Sequence, residues 1–139
     1  MIQTTVNIKF LTPCLGNVRK PDYDRFERSG TGAVTFLQSW WRETLSYGAR
    51  ALGKFQDSVL QTRIHPHIVG EVRRYKRYYN ANQFTEHEAF LTDDVVSINA
   101  IIPDGMTEED FKQILKLAGN YKGISPYGWR EGYGRFTVV

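Results

Sequence analysis

The chain has 139 residues, 41% of them hydrophobic and 24% charged, with a net charge of +3. This is the size and balance of one folded domain over residues 1–139, and it excludes a disordered, collagen-like or coiled-coil chain. No apolar run approaches the roughly 18 residues of a membrane span, no leader-like stretch follows the start, and the single cysteine, Cys14, forms no internal disulfide, so a cytoplasmic protein with no membrane partner is expected.

Residues 2–10 come first. Ile2, Thr4, Val6, Ile8 and Phe10 alternate with Gln3, Thr5, Asn7 and Lys9, the pattern of a half-buried strand. Thr12, Pro13 and Gly16 break it. Residues 17–32 then read as a long, polar, breaker-rich connection. Its Arg19, Lys20, Arg25 and Arg28 stand beside Asp22, Asp24 and Glu27, mixed signs that suit an oligomer contact as well as a polyanion. Asp22 and Asp24 lack the fuller oxygen set of a calcium loop, and no metal or other cofactor is expected.

The next segment predicts a helix capped by Ser29 or Thr31. Leu37, Trp41, Leu45 and Leu52 form its apolar stripe, with Gly48 between, and Phe36, Trp40, Tyr47 and Ala51 widen it. Gly48 and Ala49 allow close approach of a neighbouring backbone, and Gly53 suits a left-handed end. Residues 59–79 read as one long, bent edge strand interrupted by Pro66 and Gly70. Residues 80–86 form a turn, and 89–102 a strand antiparallel to the previous one, with Val96, Ile98, Ala100 and Ile102 on one face.

A last helix starts at Thr107, with Asp110 three residues on in a variant capping box and Glu108 and Glu109 at its positive end. Phe111, Ile114, Leu115 and Ala118 form its buried stripe, Gly119 its expected end, and RFTVV a closing strand. The order β-α-β-β-α-β predicts an α+β fold of the ferredoxin-like, RRM type: a four-stranded antiparallel sheet with two helices on one face.

Charge is segregated along the chain. Residues 1–80 hold thirteen Lys/Arg and six Asp/Glu, whereas 81–139 hold five and nine. Such a dipole suits a polyanion on one side, or head-to-tail contact between copies. The densest signal is Arg73-Arg74-Tyr75-Lys76-Arg77-Tyr78-Tyr79. On a strand, Arg73, Tyr75, Arg77 and Tyr79 share one face, a ladder for phosphates and stacked bases, and Arg74, Lys76 and Tyr78 share the other. The same run would also keep an exposed edge from aggregating.

The second signal is the C-terminal loop, residues 123–136. Gly123, Gly128, Gly132 and Gly134 permit positive φ and close backbone approach to a ligand; Tyr127, Trp129 and Tyr133 offer rings, and Arg130 and Arg135 offer guanidinium groups. Rings that roof the core are the structural alternative. His65 and His67 would point the same way on a strand, and His87 lies between Glu86 and Glu88; all three are expected to be structural or RNA-contacting before catalytic. Cys14 has no evident base partner.

Gly123-Ile124-Ser125, six residues, then Gly-Tyr-Gly-Arg-Phe resembles the glycine-rich signature that ends the RAMP-superfamily proteins of CRISPR systems. Ser125 stands where that pattern has its second glycine, and the spacer is one residue longer. The opening FLTPCLG and the helix WWRETLSYGARALG resemble the first strand, loop and helix of the same family. The resemblance implies a ferredoxin-like fold that binds or processes guide RNA in antiviral defence, here as a small solitary, phage-borne relative. The family's usual histidine, near its first helix, has no counterpart in this helix.

The expected function is therefore non-catalytic binding of single-stranded or guide RNA, or of single-stranded DNA, in a homo-oligomer or a larger ribonucleoprotein. Two alternatives stand beside it. One is a phage protein-interaction factor that binds or mimics a subunit of a CRISPR defence complex. The other is a metal-independent guide-RNA endonuclease.

Overall fold

The structure, a computed structural model, describes residues 1–64 and 70–139, with Gly128 and Trp129 described by their backbone alone. Alternation makes β1 (Ile2–Phe10) a strand with one buried face: Thr4, Val6, Ile8 and Phe10 are buried, and Gln3, Thr5 and Asn7 are exposed. In chain order follow β2 (Cys14–Leu15), β3 (Glu27–Arg28), β4 (Val34–Thr35), α1 (Gln38–Leu52), α2 (Gln56–Gln61) and β5 (Arg63–Ile64). The second half holds β6 (Arg73–Tyr78), β7 (Phe84–Phe90), β8 (Val95–Ile102), α3 (Glu108–Tyr121), the single turn α4 (Gly128–Glu131) and β9 (Phe136–Val138).

The protein is a mixed α and β molecule with antiparallel sheets. One sheet has four strands in the order β5-β8-β1-β9, with Val6 opposite Ile98 and Phe10 opposite Phe136. A second has three, β2-β7-β6, and β3 and β4 form a small hairpin. The two larger sheets share chain at a bend, where β1 runs through residues 11–13 into β2 and β7 runs through 91–94 into β8. There the Phe10 N–H donates to the Asp94 carbonyl at 2.9 Å and the Asp93 N–H to the Phe10 carbonyl at 2.8 Å.

The inner faces of both larger sheets and of α1 and α3 close one core. It holds Val6, Ile8, Phe10, Trp41, Leu45, Phe90, Ile98, Phe111, Ile114 and Phe136. Phe10 stacks on Phe90 at 5.8 Å and Phe90 on Phe26 at 5.2 Å, so rings join the two sheets across the bend. α1 and α3 touch at Gly48, where an added Cβ would stand 2.3 Å from the Ile114 carbonyl oxygen. The Thr107–Asp110 capping box forms as expected: the Asp110 N–H donates to Thr107 Oγ1 at 3.1 Å and the Thr107 N–H to the Asp110 carboxylate at 2.9 Å. Gly53 is left-handed, with φ of 84°. Among the described residues no helix is long and apolar enough to cross a membrane.

Several expected boundaries move. Among the described residues, the long strand expected over 59–79 is the end of helix α2, the two-residue β5 and, from Arg73, β6; the expected interruption at Pro66 lies outside them. The strand over 89–102 is two strands, because Asp93 takes a left-handed φ of 73° and Asp94 Oδ2 accepts the Leu91 N–H at 2.7 Å. β7 also begins at Phe84, inside the expected turn. Ser29 and Thr31 do not cap α1, which starts at Gln38 without a side-chain cap. They bond each other at 2.9 Å within the β3–β4 turn, a role the same hydroxyl residues fill as readily. α3 runs past Gly119 to Tyr121; that glycine instead admits Phe136, whose carbonyl oxygen would lie 2.2 Å from an added Cβ.

Candidate functional site

The cation- and tyrosine-rich run forms β6, which pairs with β7 from Arg73 opposite Ala89 to Tyr78 opposite Phe84. Strand geometry divides its side chains between two faces, as alternation requires. On one face Tyr75 and Arg77 meet the C-terminal loop. The Tyr75 and Tyr133 rings stand edge to face at 5.8 Å, with their hydroxyls 3.4 Å apart. The Arg77 guanidinium lies 4.3 Å above the Tyr127 ring, and its Nη1 donates to both Glu131 oxygens at 2.9 and 3.0 Å.

On the other face Arg74 lies 3.8 Å over the ring of Tyr23, which belongs to the early loop, and donates to Glu86 at 3.0 Å. Arg25 covers the same ring at 4.5 Å. Lys76 sits 4.8 Å from the Phe84 ring, and Tyr78 packs on Phe84 at 5.2 Å. At the hairpin tip Tyr78 is 56% exposed, Tyr79 60% and Phe84 41%. Two segments remote in sequence thus converge on one hairpin.

Electrostatics there are nearly balanced. Arg73 is 3.6 Å from Glu71, Arg25 3.1 Å from Asp22, and Arg28 2.7 Å from Glu88. Burial pushes the Tyr127 phenol above the ordinary tyrosine range; Asp24 and Glu131 add to this, while Arg77 and Arg19 oppose it. Tyr133 is pushed up to about 12, first by burial and then by its hydrogen bond and proximity to Tyr75. Both phenols therefore stay neutral donors at neutral pH.

The glycine-rich loop serves closure before ligand approach. Gly123 and Gly134, with φ of 77° and 75°, pack against each other, and an added Cβ on Gly134 would stand 2.1 Å from the Ile124 carbonyl oxygen. Their N–H groups are already spent: Gly123 donates to Ala118 at 2.9 Å and Gly134 to Pro13 at 2.7 Å. Thr44 Oγ1 adds a bond to the Gly123 carbonyl at 2.9 Å. Gly132, with φ of 80°, faces open space, and Gly128 opens α4. This corrects the expectation that these backbone amides wait for a ligand; two of the four pinch the loop at its base.

Arg130 is exposed on α4, and the Trp129 side chain lies outside the described part of the chain. Arg135 acts through its backbone, whose N–H bonds Thr12 Oγ1 at 3.0 Å and whose carbonyl accepts from Leu11 at 2.7 Å. His65 and His67 lie outside the described residues. His87 is wholly buried. Its Nδ1 donates to the Gly16 carbonyl at 2.6 Å, and Nε2 is hydrogen-bonded with Thr85 Oγ1 at 2.9 Å. With both nitrogens engaged it is a structural histidine, out of reach of RNA or of a scissile bond. Cys14 is buried, its Sγ donating to the Ile124 carbonyl at 3.4 Å, and burial raises its pKa well above the usual thiol range, so no thiolate nucleophile forms there. Among the described residues no three His, Cys, Asp or Glu side chains gather as a metal site.

Sequence reasoning missed Tyr23 and Glu131. The signal for Tyr23 was present in Asp22-Tyr23-Asp24-Arg25, a ring interleaved with charges as in β6. Glu131 is the only acid between residues 123 and 136, and a lone carboxylate among cations marks their partner. Compared with known proteins, the chain matches no family model and no curated protein.

Proposed function

We propose that the protein binds single-stranded nucleic acid, RNA in the first instance, without cleaving it. The observation that carries this reading is the alternation of cations and rings on both faces of the β6–β7 hairpin, with Tyr78, Tyr79 and Phe84 exposed at its tip. Stacking rings accept any base, and Lys and Arg neutralise the backbone, so affinity is sequence-tolerant and steeply salt-dependent. The sheet order β5-β8-β1-β9, with α1 after β1 and α3 between β8 and β9, supports a ferredoxin-like reading of the fold. The glycine-rich C-terminal loop and the first strand and helix support kinship with the RAMP proteins, as part of a guide-RNA assembly in a defence system.

The test is fluorescence anisotropy on a labelled single-stranded RNA of mixed sequence. Changing Arg74, Lys76 and Arg77 together to Ala lowers affinity by about tenfold or more and flattens the salt slope by about 0.7 for each phosphate no longer neutralised. Unchanged affinity and slope would remove the reading.

A second reading has its own observation. Arg73, Arg74 and Arg77 each already face an acid, which leaves the tip aromatic rather than strongly basic. Such a tip suits a protein partner, a subunit of a ribonucleoprotein that the chain joins or mimics. Co-purification with that assembly, and no affinity for free RNA, would favour it.

A further inference from the structure

β6 is the edge of its sheet: β7 pairs with one side of it, and among the described residues no strand pairs with the other. Alternation decides which backbone groups that leaves open. The Tyr79 N–H donates to the Gln83 carbonyl at 3.1 Å, so Arg73, Tyr75 and Arg77, at even steps from it, also turn their N–H and C=O groups to β7. Those of Arg74, Lys76 and Tyr78 point the other way. β7 shows the same parity. Glu86 and Glu88, which stand opposite Lys76 and Arg74, turn their backbone groups from β6 to Asp24, at 2.9 and 2.7 Å.

The side chains that flank this edge make their contacts back toward β7. Arg74 donates to Glu86 and covers Tyr23, and Lys76 and Tyr78 both sit against Phe84. On the opposite face Arg77 lies over Tyr127, whose ring meets His87 of β7 edge-on at 5.3 Å. The open N–H groups of Arg74, Lys76 and Tyr78 have no backbone acceptor among the described residues. An edge left this way is a template for another strand.

We infer that the strand it takes is the same edge of a second copy, paired antiparallel about a two-fold axis at Lys76. In that register all three open positions are used, and each pair exchanges two N–H···O bonds. Arg73 then faces the partner's Tyr79, Arg74 the partner's Tyr78 and Tyr75 the partner's Arg77, a cation against a ring everywhere but at the centre. A slip of one pairing step either way loses a hydrogen-bonded pair and sets arginine on arginine, Arg73 against Arg77 or Arg77 against its own copy. Such an isologous contact closes on itself, so it ends at a dimer with one continuous sheet. Lys76 alone faces its own copy, and like charges directly opposite weaken the pairing. Salt therefore strengthens this contact, the reverse of its effect on RNA binding, and the inference does not rest on that reading.

The experiment is analytical ultracentrifugation of the intact chain without nucleic acid, over a concentration series. A monomer–dimer equilibrium is expected that tightens between about 0.1 M and about 1 M salt, as the Debye length falls from about 10 Å to about 3 Å. Lys76→Thr removes the central repulsion; its dimer is about two- to fivefold tighter at low salt, and the salt trend disappears. Lys76→Pro deletes an N–H that β7 does not use, so circular dichroism stays that of the parent while the dimer is lost. Should Lys76→Pro lose the fold, Lys76→Thr alone decides. A chain monomeric throughout, a dimer that survives in a folded Lys76→Pro, or one that Lys76→Thr leaves unchanged overturns the edge contact. None of these results bears on RNA binding, which anisotropy tests separately.

Discussion

On the four-stranded sheet the middle of the face turned from the core is a ladder of short uncharged groups, with Lys9 and Arg63 towards its margins. Thr5 donates to Asn99 at 2.6 Å and Ser97 to Asn7 at 2.6 Å, each across paired strands. On the three-stranded sheet the outward face of β6 carries Arg74, Lys76 and Tyr78 against Tyr23 and Phe84. A sheet that stacks bases needs rings on its open face. Among the described residues the strands of the larger sheet put none there, whereas the smaller sheet has them on both sides. The difference separates two tasks: the larger sheet holds the core, and the hairpin that grows from its bend presents chemistry.

The largest effect that tests this division is on stability. Phe10→Ala removes a fully buried ring that stacks on Phe90 and meets Phe136 at 6.4 Å, and is expected to cost about 3–5 kcal/mol in urea unfolding. Both sheets melt together in that variant, since Phe10 belongs to the junction. Next is the hairpin tip. Tyr78→Ser with Tyr79→Ser is expected to leave unfolding within about 0.5 kcal/mol of the parent, while RNA binding loses about 1–3 kcal/mol per base no longer stacked. An unfolding loss as large as that of Phe10→Ala would erase the division.

The complementary change lies on the ladder. Thr5→Ala is expected to cost about 0.5–1.5 kcal/mol of stability, the value of one hydrogen bond, with RNA affinity unaltered; a matching loss of affinity would move the binding face to the larger sheet. The smallest effect is on alkaline stability. Tyr133 is pushed up to about 12 in the folded protein, against about 10 when unfolded. Its neutral form is the one the fold favours, so its contribution is complete below pH 10 and fades as pH rises toward 12. Tyr133→Phe is expected to flatten the alkaline decline in that window, read by denaturant titration at fixed pH steps.

Much of the frame was legible from the chain. Alternation over residues 2–10, the Thr107–Asp110 box and the buried stripe of α3 are local patterns, and the structure keeps them. What could not be read was where continuous β-rich stretches change sheet. Residues 89–102 carry strand-forming side chains on both sides of Asp93, and only a left-handed residue and one Asp94 hydrogen bond mark the corner. The face of the Arg/Tyr run followed from period-two geometry. Its partners Tyr23, Tyr127, Glu131 and Tyr133 came from segments about 50 residues away on either side, a distance over which sequence pattern carries no address. The loop glycines show the same limit: positive φ was foreseeable at Gly123 and Gly134, but not that each would be the other's neighbour.

That mutual packing has a consequence for how the molecule can change. Because Gly123 and Gly134 are tied to Ala118 and Pro13, with Thr44 Oγ1 adding a bond to the Gly123 carbonyl, the two ends of the excursion between them are fastened without help from the side chains it carries. Whatever is spliced into the middle inherits fixed anchor points, so the contents of the excursion are free to diversify while the scaffold beneath stays put.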